Sequence, residues 1–156
     1  MKQKLCMLFC VVAAFLMVGC TSSEQENTQY LQSVRTAMTA ISEANEPFSA
    51  DLDAMFSSIT DGTKKKVMDD LAAMKQAYAS LSEIKAPKEY EQVQTLLTES
   101  AKQAASGIAI YEKAIGELSP SSFNQSFVDA LAPGDEAMRE AFLKLDEASA
   151  LLTNAE

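Results

Sequence analysis

Nine apolar or small residues between positions 90 and 118 keep one unbroken phase. Tyr90, Val93, Leu97, Ala101, Ala104, Ile108, Tyr111, Ile115 and Leu118 recur at steps of three and four. That spacing gathers all nine on one face of an α-helix, whereas a strand would scatter them over both faces. A helix with such a stripe needs something to cover it. The same chain supplies candidates. Leu31, Val34, Met38 and Ile41 form a first stripe, whose phase continues through Asn45 to Phe48, Leu52, Met55 and Ile59. Val67, Leu71, Met74, Tyr78 and Leu81 form a second. Phe123, Phe127, Leu131, Met138, Phe142, Leu145 and Leu152 form the last. No segment alternates as a strand does.

The breaks between stripes carry turn chemistry. Asp61-Gly62 is expected to end the first segment. Pro87 disfavours helical geometry in the residue before it, which stops the second helix at Lys85-Ala86, and it suits the first turn of the third. Ser119-Pro120 reads as an N-cap followed by a proline in the first helical position. These connections are short and force antiparallel neighbours. The expected fold is all-α: an antiparallel up-down bundle of four helices, packed with a left-handed twist near +20°. Pro47 and Pro133-Gly134 fall inside the first and last segments, where the helix either kinks or breaks. A three-helix bundle with a broken first segment is the alternative. An even helix count brings both ends of the bundle domain together, with the Pro87 turn, and sends the Asp61 and Pro120 turns to the far end.

Residues 1–20 read as an address. Lys2 and Lys4 precede an apolar run from Leu5 to Gly19. As a helix that run reaches only about 22 Å, short of the ~30 Å hydrocarbon core, so a cleaved signal is expected over a permanent span. The run ends Leu16-Met17-Val18-Gly19-Cys20, followed by Thr21-Ser22-Ser23. This resembles the lipobox of bacterial lipoproteins, although Met17 stands where Leu is usual. The resemblance implies cleavage before Cys20, acylation of Cys20 and a lipid anchor on the extracytoplasmic face of a bacterial membrane. Thr21 in place of Asp implies the outer membrane if the cell is diderm. The stretch Ile84-Lys85-Ala86-Pro87-Lys88-Glu89-Tyr90, with Val93 and Leu97, also resembles an element of small bacterial helical-bundle envelope lipoproteins. The expected organisation is a signal at 1–19, a lipidated Cys20 with a polar tether to residue 29, and a helical bundle domain at 30–156.

Cysteine and charge usage agree with that address. Cys6 and Cys10 leave with the signal, so the mature body holds no disulfide. The signal takes two of the 13 basic residues and none of the 22 acidic ones, which leaves 11 cations against 22 anions and a mature net charge of −11. Such a body is repelled by anionic lipid and lacks the basic face that nucleic acid requires. With no histidine there is no imidazole base, no His-ligated metal and no Ser-His pair. No metal site and no cofactor are expected. Asp51-Leu52-Asp53 and Asp61-Gly62 lack the spacing of a calcium loop. Neighbours such as Asp69-Asp70 diverge by ~100° on a helix and make no acid/base pair by themselves. Asp135 and Glu136 read as acids complementing a helix start.

Four features remain. Ala101, Ala104, Ala105 and Gly107 thin the third helix. They either border a cavity for a small apolar ligand, lined by Ala101, Ala104, Ile108 and Tyr111, or admit a close neighbour with Phe56, Phe127 or Phe142 filling the space. Lys64-Lys65-Lys66 is either a docking cluster or a solvated turn paired with Asp69 and Asp70. Tyr78, Tyr90 and Tyr111 either line a pocket or pack their rings with hydroxyls at the rim. The methionines are spaced as core filler, and Asn45 is placed to satisfy backbone groups freed at Pro47. No catalytic residues are expected, and the chain reads as a non-enzymatic structural or protein-interaction module. It is held by membrane lipid through Cys20 and bound to an envelope protein. The alternative is a carrier or sensor of a small apolar molecule.

Overall fold

A computed structural model describes residues 23–153. The signal and Cys20 lie outside the described residues. Four helices follow in order: α1 Ser23–Ser57, α2 Asp61–Glu83, α3 Glu91–Glu117 and α4 Gln125–Thr153, with a 3-10 turn at Lys88–Tyr90 ahead of α3. There is no strand among the described residues. The fold is the expected all-α bundle.

The helix ends depart from the sequence reading in instructive ways. Residues 23–29, expected as tether, are the first turns of α1. Glu24 and Glu26 complement the dipole there, and Asn27 hydrogen-bonds Glu89 at the 3-10 turn. Asp61 and Gly62 do not close the first segment but open α2. Thr60 is the N-cap: its hydroxyl accepts from the Thr63 N–H at 3.1 Å, while Thr63 Oγ1 accepts from the Thr60 N–H at 3.0 Å. This reciprocal pair is a capping box with threonine in the place usually held by Glu or Gln. Helix α2 ends at Glu83, two residues early, and Pro87 caps the 3-10 turn rather than entering α3.

Ser119-Pro120 does not start α4. The Ser122 N–H bonds the Ser119 carbonyl at 3.0 Å and closes a turn, and the cap is Asn124, whose Oδ1 accepts from Ser126 N at 2.9 Å. Both internal prolines sit within continuous helices. Pro133 therefore leaves Asp135 and Glu136 in mid-helix, not at a helix start. Asn45 Nδ2 bonds the Ile41 carbonyl at 2.8 Å. The carbonyl deprived by Pro47 is that of Glu43, so Asn45 serves a different group from the one expected.

Up-down topology is visible at both ends. Tyr30, near the start of α1, stacks on Tyr90 at 5.0 Å, and its hydroxyl faces Gln94, whose amide caps α2 at the Leu81 carbonyl. At the other end Phe56 of α1 meets Phe127 of α4, and Lys64 reaches the end of α3. The ammonium of Lys64 donates to the carbonyls of Gly116 at 3.0 Å and Leu118 at 2.7 Å. A cation at a helix C-terminus satisfies orphan carbonyls and opposes the dipole's negative end. Lys64→Met is expected to lower stability by about 1 kcal/mol in urea unfolding, against no change for Lys102→Met on the open face of α3.

Packing is uneven around the bundle. Helices α3 and α4 lie closest. A Cβ added to Gly107 would sit 2.9 Å from the Gly134 carbonyl oxygen, and one added to Gly134 would sit 2.7 Å from Tyr111 Cε1. The buried Ser100 hydroxyl donates to the Ala141 carbonyl at 2.9 Å across the same contact. By contrast, no Cα of α1 comes within 8 Å of a Cα of α4. Side chains alone close that seam.

Candidate functional site

The seam between α1 and α4 holds two adjoining cavities. One, of about 470 Å³, is lined by Met38, Ile41, Asn45, Glu46, Phe142 and Asp146, among others. The other, of about 320 Å³, runs from Met38 and Leu145 to Leu31, Tyr90 and Leu152, with Arg35 at its edge. Met38 and Leu145 line both and join them. The opening follows from side-chain choice. Helix α4 turns Gly134, Ala141 and Ala148 toward the core, and these small residues draw it onto α3. Phe142 is left 46% exposed in the seam, edge-on to the Tyr78 ring at 6.5 Å.

A second region lies at the end of the bundle remote from residue 23. Phe123 precedes the first turn of α4 and stacks on Phe56 at 5.3 Å. Phe127 meets Phe56 edge-on at 6.0 Å. Phe127 is buried, but Phe123 is 43% and Val128 50% exposed. The Ser119–Ser122 turn holds Phe123 outside the helix, where it can fold back over Phe56. Phe123 and Val128 are the exposed apolar side chains here, and contiguous exposed apolar surface marks contact sites.

The residues expected to border a cavity are not those of the seam. Ala101, Ala104, Ile108 and Tyr111 are all buried, and none lines either seam cavity. The space beside Gly107 is taken by Gly134 and Met138 rather than by Phe56, Phe127 or Phe142. Tyr111 donates its hydroxyl to Asp135 at 2.5 Å and tilts its ring onto Phe48. Burial, then the Asp135 carboxylate, hold that hydroxyl well above the usual phenol range. Burial raises the pKa of the Tyr78 hydroxyl, against the Asn45 side chain, which lowers it. Of the three tyrosines, Tyr90 lines a seam cavity, while Tyr78 and Tyr111 line neither.

The lysine cluster is spent on packing. Lys64 caps α3, Lys65 pairs with Asp69 at 2.6 Å, and Lys66 reaches Asp51 on α1 at 3.7 Å rather than Asp70. One Asp70 oxygen is thereby buried with no partner. Burial, then the facing Asp51 and neighbouring Asp69, push the Asp70 pKa up, against Lys66, which lowers it. The folded state thus holds this proton more tightly than the unfolded chain. The stability it contributes is full below the unfolded pKa of about 3.9 and is lost as pH rises through the raised folded value. Asp70→Asn is therefore expected to be more stable than wild type at neutral pH. The gap in urea midpoint closes toward pH 4; a gap that persists unchanged there would contradict this assignment.

Among the described residues no group of three His, Cys, Asp or Glu could hold a metal ion, and no helix is long and apolar enough to cross a membrane. What both regions offer is apolar surface with polar groups at its rim, the means of binding. No protein-family model, no curated protein and no solved structure matches the chain.

Proposed function

We propose that this chain is an envelope lipoprotein, anchored to membrane lipid through acylated Cys20, whose bundle is a non-enzymatic protein-interaction module. The observation that carries the reading is the Phe56, Phe123 and Phe127 cluster, with Phe123 and the next-in-sequence Val128 exposed, at the end remote from the proposed anchor. Aromatic side chains supply large contact area with few rotors to order, and are enriched where proteins bind one another. With the anchor proposed at Cys20, the up-down topology supports a cluster that faces away from lipid, where an envelope partner would reach it. The lipobox-like Leu16-to-Cys20 run supports the anchor, on the extracytoplasmic face and in the outer membrane if the cell is diderm. The mature charge of −11 supports it too, since an acidic body needs a covalent lipid to stay at an anionic surface.

Two measurements test the reading. Cys20→Ser is expected to abolish incorporation of labelled fatty acid; persistent labelling contradicts the anchor. A photo-cross-linking residue at Val128 is expected to give one discrete protein adduct in intact cells, and the same residue at Lys102 none. Matching adducts at both positions, or none at Val128, contradict the interaction surface.

A further inference from the structure

We propose that the seam between α1 and α4 binds an apolar cation, an alkyl chain carrying one ammonium head. The site is separate from the aromatic cluster and does not depend on a partner there. Its larger cavity has an apolar floor of Met38, Ile41 and Leu145. Two carboxylates stand at its rim from opposite helices, Glu46 of α1 and Asp146 of α4. Neither makes an ion pair among the described residues, although seven other acids of the bundle do. Phe142 lines the same cavity; its ring is nearly half exposed and lies edge-on to Tyr78. An exposed aromatic face beside carboxylates attracts ammonium groups through the ring quadrupole as well as through charge.

The adjoining cavity provides room for the chain. It continues from Met38 and Leu145 along Val34, Ala148, Leu31 and Leu152. From Glu46 to Leu31 the path runs about 22 Å along α1, so an alkyl tail lies against apolar side chains over its length. Arg35 lies beside the tail part of the path, ~16 Å along the axis from Glu46 and beyond the ~8 Å Debye length at physiological salt. The seam is thus polarised, with unpaired acids at the wider cavity. The chain's net charge of −9 adds a field that concentrates cations and repels anions. A fatty-acid-like anion with its head at Arg35 is the opposite orientation, and charge disfavours it.

The test uses the full chain in zwitterionic phospholipid nanodiscs, with empty discs as the blank. It compares two probes of equal chain length and opposite charge, octyltrimethylammonium and octanoate. The cation is expected to bind saturably, at one site, and at least tenfold more tightly than octanoate. Glu46→Gln combined with Asp146→Asn is expected to weaken the cation about tenfold. Ser42→Trp is expected to fill the cavity and abolish its binding. All three positions are exposed, so helical content by circular dichroism should not change. Octanoate binding as tightly as the cation, cation affinity unmoved by these variants, or no saturable binding above the blank would each overturn the proposal.

Discussion

Ile108→Ala is expected to lower the folding free energy by about 2–5 kcal/mol, a large share of the ~5–15 kcal/mol that holds a typical domain together. Ile108 is fully buried at the centre of α3. Its stripe neighbours Ala104 and Tyr111 are buried too, and the close approach of α3 to α4 limits collapse around the missing atoms. Both the lost transfer energy and the void therefore count. Urea unfolding followed by circular dichroism reads the change. The variant also distinguishes packing from ligand binding. If the Ala101–Ile108 stretch is solid core, removing three carbons destabilises the chain with or without small apolar molecules present. A loss below 1 kcal/mol would mean that the stretch borders empty space in the wild type.

The second large effect comes from glycine, and it changes sign within one helix. Gly107→Val is expected to destabilise by about 3 kcal/mol, while Gly116→Ala is expected to stabilise by about 0.5–1 kcal/mol. In an open helical position a side chain in place of glycine restricts the unfolded chain and favours the helix. Gly116 is such a position, with nothing within 4 Å of an added Cβ. At Gly107 the added Cβ meets the Gly134 carbonyl oxygen at 2.9 Å and Met138 Cγ at 3.0 Å. The methionine can swing aside, but the carbonyl belongs to helix α4 and moves only with it. Overpacking then outweighs propensity. Two stabilising glycine replacements would show that α3 and α4 are not in close contact.

The third helix is the part of the fold most plainly written in the sequence. Val93, Leu97, Ala101, Ala104, Ile108, Tyr111, Ile115 and Leu118 share the phase and are all buried. Element type and topology follow from such stripes because only a helix can gather them. The ends were less legible. Asp61-Gly62 and Ser119-Pro120 have turn residues, but capping is decided by reciprocal bonds such as Thr60 with Thr63, and by Phe123 docking on Phe56 outside the helix. Residues 23–29 read as polar because their helix is held through Asn27 and Tyr30 by partners more than 60 residues away.

The spacing of large residues in the last segment does not by itself reveal the candidate sites. Phe123 and Phe142 fit the large-residue phase of the last segment, so they read as core. Phe127, Met138 and Leu145 of that phase are buried, but the inward face of α4 also includes Gly134, Ala141 and Ala148, one heptad apart, opposite Ser100 and Gly107 on α3. Matching heptads of small residues on consecutive helices signal close approach, and they push the large residues beside them outward. Read that way, the exposed Phe142 is recoverable from spacing alone. The empty seam is not, because it depends on how far α1 stands from α4.

The central claim, that the remote aromatic cluster carries a protein partner, is tested most directly by native mass spectrometry. The full chain and its Phe123→Ser, Val128→Ser double variant would be gently extracted from the same membrane. The wild type is expected to carry one additional protein mass beyond the acylated chain, and the double variant to lack it. A bare acylated mass for the wild type, or the same added mass on both, would contradict the account.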